Sequence, residues 1–184
     1  MTAAQNILLF SQKYCLKKQI NNVATSFFLE KEMNFDTLKK AVVMAVKRNT
    51  AMQAVLPADD YPQVEYTGTD SQVDAIYKAG DKGYVVQCTV GGSQGTITMV
   101  TGVDLNGAVT GISVLDHGET PGLGAIAGAA GEKGDAFRGQ FAGLTSAAVT
   151  KDGGSVEALT GATVTSRAIC TGVNAALDAV KTVG

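Results

Sequence analysis

The sequence is poor in the residues that build metal centres and nucleophilic triads. It holds a single histidine, His117, which argues against a histidine-based metal site, and no histidine accompanies a serine nucleophile. Its three cysteines, Cys15, Cys88 and Cys170, are widely spaced and never form a C-x-x-C pair. That excludes the usual zinc and iron–sulfur patterns. Cys88 falls within a strand-like run and Cys170 within a helical one, and both read as small buried hydrophobes. No stretch approaches the ~20 apolar residues needed to span a bilayer. Met1–Phe10 lacks the basic start and small-residue cleavage site of a signal peptide, so the chain reads as soluble. Ala51–Gly184 is acidic and has no basic cluster interleaved with aromatics, which argues against a nucleic-acid partner.

Glycine is also missing, but only from one end. All 22 glycines lie after Thr50. Charge divides at the same place. Met1–Thr50 holds eight Lys/Arg and three Asp/Glu, a balance of +5; the remainder holds seven and fourteen, a balance of −7. A switch this sharp predicts two segments: residues 1–50 as a basic appendage and residues 51–184 as one domain. In the appendage, Ile7–Phe10 is a short apolar run and Val23–Leu29 has strand composition. Asn34-Phe35-Asp36 reads as a cap opening a helix with Leu38, Ala41, Val42, Ala45 and Val46 on one face. Its basic face reads as a solvated helix surface.

The domain reads as α+β, an antiparallel meander with a C-terminal helix packed on one face. The strands are Gln72–Lys78, Tyr84–Val90, Thr96–Val103 and Ala108–Leu115. Asn106-Gly107 supplies a two-residue hairpin signal between the last two. Asp135–Phe141 is expected as a short helix and Ala147–Val149 as a last short strand. The closing helix carries Ile169, Val173, Leu177 and Val180 at spacings of four, four and three, hence on one face.

Two motifs stand out. Glu157-Ala158-Leu159-Thr160-Gly161-Ala162-Thr163-Val164-Thr165-Ser166 crowds small residues and hydroxyls into the start of that helix. Thr163, Thr165 and Ser166 compete for its cap and first turn. This composition suits an ordinary N-cap; it also suits a phosphate, because free N–H groups and the positive dipole end meet there. The second motif, His117-Gly118-Glu119-Thr120-Pro121-Gly122-Leu123-Gly124, contains a type II turn with Pro121 and Gly122 at its centre. It serves either as a plain chain reversal or as bare backbone that a flat ring can approach.

The segment Glu157–Thr163 resembles the flavinylation motif of the FMN-binding domain family. That family includes the G subunit of Rnf-type ferredoxin–NAD electron-transport complexes and the C subunit of sodium-pumping NADH–quinone reductases. The pattern is an acidic residue, two variable positions, Ser or Thr, Gly, Ala, and an acceptor Thr or Ser. Here these are Glu157, Thr160, Gly161, Ala162 and Thr163; Glu157 stands where Asp is usual. The Glu119–Gly124 loop resembles the family's ring-contacting loop, and the likeness spans roughly residues 51–184. It implies an electron-transfer flavoprotein with FMN held covalently, by a phosphoester to Thr163. Thr160, Gly161, Ala162, Val164 and Thr165 would surround the attachment, and Glu119, Thr120, Gly122, Leu123 and Gly124 the ring. The flavin would sit where the turn loop meets the helix start.

The implied partners are other subunits of a membrane electron-transport complex and a flavin transferase. The implied location is the extracytoplasmic face of the membrane. The family usually begins with one membrane-spanning helix, and residues 1–50 stand in its place here, as a replaced anchor or a fusion. That segment weakly resembles the opening of condensation and acyltransferase domains of the chloramphenicol acetyltransferase-like type. It lacks their His-x-x-x-Asp motif, so no acyl transfer is assigned. No catalytic acid–base pair is expected, since Glu119 and Glu157 lie in separate loops. Two other functions fit the motifs: a free-standing FMN-binding domain of another electron-transfer or flavin reductase system, and a module binding a phosphate ligand without a covalent bond.

Overall fold

A computed structural model describes residues 35–183. The expected elements at Ile7–Phe10 and Val23–Leu29, the cap at Asn34, and Cys15 lie outside the described residues. The chain divides into two units between Lys47 and Arg48. Helix α1, Phe35–Val55, runs through that division and through Thr50. Within its first part Ala41, Val42, Ala45 and Val46 are half-buried, while Val43 and Met44 are exposed.

In the unit Arg48–Gly184 the sheet has five strands in sequential order: β1 Gln63–Val64, β2 Val73–Lys78, β3 Gly83–Gly91, β4 Thr96–Asp104 and β5 Val109–His117. All neighbours are antiparallel. The four long strands match the sequence pattern; the two-residue β1 carries no alternation to reveal it. The β4–β5 connection lies where Asn106-Gly107 places it but is not a two-residue hairpin. The Asp104 carboxylate accepts the Asn106 and Ala108 amides at 2.9 Å each, which widens the loop to Leu105–Ala108. Gly107, at φ +77°, takes the left-handed conformation there.

Both faces of the sheet are covered. One carries Ile76, Val86, Cys88, Val90, Ile97, Met99 and Val103 against helix α3, Thr163–Val183, which contributes Ile169, Val173, Ala176, Leu177 and Val180. The helix comes closest at Gly172, where a Cβ would stand 2.9 Å from Met99 Sδ. Cys88 and Cys170 are buried as expected, and burial pushes their thiols up to about 12 and about 11. The other face carries Tyr77, Val85, Val100 and Leu115 beneath Ala51, Met52, Val55 and Leu56. Thr110 Oγ1 donates to the Val55 carbonyl at 2.6 Å, and the Arg48 guanidinium lies 5.3 Å from the Tyr77 ring centre.

After β5 come a 3-10 turn, Gly124–Gly128, and helix α2, Glu132–Gly139. The helix starts earlier than expected and ends before Phe141. Phe137 and Phe141 still meet edge to face at 5.5 Å, both buried. The strand expected at Ala147–Val149 is only an isolated parallel bridge, Val149 to Val156. Asn174 of α3 occupies the backbone of Ala147 instead. Its Oδ1 accepts the Ala147 amide and its Nδ2 donates to the Ala147 carbonyl, both at 2.8 Å.

These contacts make a chain beginning at Arg48 the expected minimal folded unit. A chain beginning at Pro57 loses the four apolar residues over Tyr77, Val85, Val100 and Leu115. At ~1.5–3 kcal/mol for each large side chain, it should be less stable by about 4 kcal/mol or more. Denaturant titration of the two truncations checks this. Equal midpoints would show that the end of α1 contributes nothing to the core.

Candidate functional site

The two motifs meet in space. β5 delivers the chain into the Gly118–Gly124 loop at the edge of the β3–β4 turn. Gly118 lies so close to Gly95 that a Cβ on either would approach the other's Cα to 3.2 Å. Within the loop the turn is as the sequence implies: Gly122 has φ +77°, and the Leu123 amide donates to the Thr120 carbonyl at 3.2 Å. Thr120, Pro121, Gly122 and Leu123 are exposed, and a Cβ on Gly122 would meet nothing within 4 Å. Gly124, by contrast, is buried.

The Thr160–Ser166 segment sits against this loop. Gly161 takes φ +74°, and its missing Cβ makes room for Leu123, whose Cδ2 would lie 3.1 Å from it. Thr163 opens α3 and is half-buried, with Val164 beside it 54% exposed. The first helical hydrogen bond runs from the Ser166 amide to the Ala162 carbonyl at 3.0 Å. The amides of Thr163, Val164 and Thr165 therefore precede it, at the positive end of the dipole. Thr165 and Ser166, which the sequence leaves competing for the cap, are buried inside the first turn. Ser166 Oγ donates to the Ala162 carbonyl at 2.9 Å and accepts the Leu159 amide at 3.0 Å, holding the loop ahead of the helix. Thr160 and Gly161 remain exposed and Ala162 is buried.

Glu119 joins everything. It is 6% exposed, and both its oxygens are taken by the protein. Oε1 accepts the Ser93 and Gln94 amides at 2.8 and 3.0 Å; Oε2 accepts the Thr165 hydroxyl in a short bond. Burial would raise its pKa, but hydrogen bonds from Gln94, Thr165, Ser93 and Gly95 outweigh that and hold it below the ordinary glutamate value. A carboxylate lowered on folding stabilises the fold above its unfolded pKa and loses that contribution as pH falls through the folded one. The melting temperature should therefore decline as pH falls below about 4.3. Glu119→Gln should flatten that limb of the profile; parallel curves for the two proteins would assign the acid limb to other carboxylates.

Ser93, Gln94, Gly92 and Ser166 belong to this site, and the sequence does not single the first three out. Gly92 is readable only as a turn residue, yet a Cβ there would stand 2.3 Å from Glu119 Oε1. Glu157 is exposed, but its backbone is clamped. Gln140 Oε1 accepts its amide at 2.6 Å, and Gln140 Nε2 donates to its carbonyl at 3.2 Å. Arg167, one turn beyond Thr163, forms a bidentate pair with Asp152 at 2.6 and 2.7 Å.

An FMN group fits this donor set. A half-buried hydroxyl stands at a helix N-terminus suited to a phosphate, next to exposed apolar Leu123 and Val164 and to open backbone at Gly122. Among the described residues no cluster of His, Cys, Asp or Glu is arranged for a metal. No described helix is long and apolar enough to cross a membrane.

The FMN-binding domain family matches residues 92–178, a span that contains both motifs and the Ser93–Gln94 turn. The G subunit of an ion-translocating oxidoreductase complex from Methanosarcina acetivorans is 34% identical over 152 residues, covering 76% of this chain and 78% of that protein. The G subunit of a Na(+)-translocating ferredoxin:NAD(+) oxidoreductase complex from Acetobacterium woodii is 32% identical over 171 residues, covering 86% and 81%. Its proton-translocating counterpart from Clostridium ljungdahlii is 40% identical over 104 residues, 54% of each chain. With the domain match spanning the site and the first two relatives aligned along most of their length, the chain belongs to the FMN-binding domain family of ion-translocating oxidoreductase complex G subunits.

Proposed function

We propose that this protein is an electron-carrier subunit of an ion-translocating ferredoxin–NAD oxidoreductase complex, holding FMN through a phosphoester on Thr163. The observation that carries this reading is the junction of the two motifs. Leu123 lies over Gly161, and Glu119 binds Thr165, so the Glu119–Gly124 loop adjoins the segment that carries Thr163, which supports this reading. FMN bound there supplies reversible electron acceptance and donation.

The chain's own residues hold and expose the group. The helix N-terminus favours the negative phosphate, and Thr163 Oγ1 supplies the bond. Thr163 Oγ1 would hold the group by displacing a nucleoside monophosphate from an activated pyrophosphate form of FMN: the O–P bond would form as the P–O–P link breaks, the hydroxyl proton would pass to the leaving phosphate or solvent, and no oxidation state would change. Exposure of Glu157 and Thr160 leaves the motif's recognition positions open to a flavin transferase. A covalent tether prevents loss of the cofactor from a surface site and lets the ring face another protein. Its partners are then the other subunits of the complex, and its working place is the extracytoplasmic face of the membrane, a reading that the family resemblance supports.

Coexpression with a flavin transferase tests the reading. The intact mass should rise by FMN less one water, and yellow colour should survive denaturation and filter washing. Colour that washes out would instead support a non-covalent flavin or phosphate site.

A further inference from the structure

We propose that Glu119 is a positioning residue with a task apart from touching the ring. It is a buried latch that locks the Thr120–Gly124 loop to the start of α3, and its charge lowers the potential of the bound flavin. Only the second half of this proposal rests on the FMN reading above.

The latch follows from where the two oxygens point. One carboxylate cross-links the β3–β4 turn, its own loop and the first turn of α3, through partners 25, 26 and 46 residues away in sequence. The cavity is shaped to it. A Cβ at Gly92 would stand 2.3 Å from Oε1, and one at Gly124 would stand 2.5 Å from Oε2, so both neighbours must be glycine. The loop tip is otherwise exposed and short of anchors. The tip bonds are the turn's own, and Leu123 is 43% exposed.

The Glu119 carboxylate also sits without a countercharge. All partners of Glu119 are neutral amides or a hydroxyl, and none of the three ion pairs among the described residues involves it. On its other side, its own amide donates to the ring nitrogen His117 Nδ1 at 3.3 Å. A buried anion without a countercharge acts across a weakly screened interior. An electron arriving on a flavin tethered two residues from Thr165 is disfavoured by it.

Glutamine separates the two claims. Its carbonyl can accept the Ser93 and Gln94 amides, and its amide can donate to Thr165 Oγ1 in the same space, so Glu119→Gln keeps the latch and removes the charge. In the flavin-free full chain, Glu119→Ala should speed amide exchange at Ser93 and Gln94 by roughly tenfold or more, with Val86 and Val100 unchanged. Glu119→Gln should restore most of the protection. Unaltered exchange in the alanine variant, or no rescue by glutamine, overturns the latch.

In the flavin-loaded full chain, Glu119→Gln should raise the midpoint potential, changing the ratio of reduced to oxidised flavin at a given potential by about tenfold, or ~30 mV for a two-electron couple. A potential equal to wild type overturns the charge effect. A wild-type chain that never takes up flavin brings down the FMN reading and the claim on potential with it. The exchange experiment still decides the latch.

Discussion

Thr163→Ala is expected to abolish the covalent flavin completely while leaving the fold intact. The substitution removes the hydroxyl proposed to carry the phosphoester. It adds no bulk and places a good helix former at the first helical position, so the cost to stability should stay within about 1 kcal/mol. Thr165→Ala is the informative control. Thr165 is 1% exposed, and its hydroxyl is engaged by Glu119, out of reach of a transferase. Its alanine variant should lose some stability yet keep the mass adduct. An adduct that persists in Thr163→Ala and disappears in Thr165→Ala would shift the acceptor position. An absence of adduct in every variant would direct attention to Glu157, where Glu157→Asp should restore it.

The second large effect is expected from Gly124→Val. The valine Cβ would stand 2.5 Å from both Glu119 Oε2 and Thr165 Oγ1, and Gly124 is buried, so neither neighbour can step aside into solvent. Overpacking costs ~1–3 kcal/mol, and a buried carboxylate robbed of its hydroxyl donor adds ~1–3 kcal/mol. The total should be about 3 kcal/mol, lowering the melting temperature by roughly 6–12 °C for a chain of this size.

Gly122 provides the contrast. Its φ of +77° is costly for a Cβ, but it is exposed with nothing within 4 Å. Gly122→Ala should cost only about 1–2 kcal/mol and alter the flavin spectrum rather than the fold. Thermal melts of the two variants, with visible spectra of their flavin-loaded forms, check this. A Gly124→Val protein as stable as Gly122→Ala would mean that the carboxylate–hydroxyl pair does not fill the space it occupies here.

Much of the architecture is local and therefore legible in the sequence. Period-two alternation in Thr96–Val103 marks β4, because a half-buried strand must alternate. Ile169, Val173, Leu177 and Val180 mark the buried stripe of α3, and Pro121-Gly122 marks a type II turn whose φ the structure reproduces. The candidate acceptor Thr163 and the turn loop are readable as motifs. Other features are not readable, for physical reasons. β1 is two residues long, too short to show a period. The connection at Asn106-Gly107 is longer than its dipeptide signals, because the Asp104 side chain competes for the turn's amides. The strand expected at Ala147–Val149 is held by Asn174, whose amide mimics a neighbouring strand from the middle of a helix.

By itself, then, the sequence determined the order of elements, the buried faces and the two motifs, since each depends on residues within a few positions of one another. Only the tertiary structure decided what the motifs do to each other. Glu119 faces inward to Thr165 and the Ser93–Gln94 amides, Gly92 is glycine to admit its oxygen, and Leu123 rests over Gly161. The Glu119 bonds alone join residues 25 to 46 positions apart. No local pattern encodes such contacts. They arise only when the meander and the closing helix bring the loop and the helix start together at one edge of the sheet.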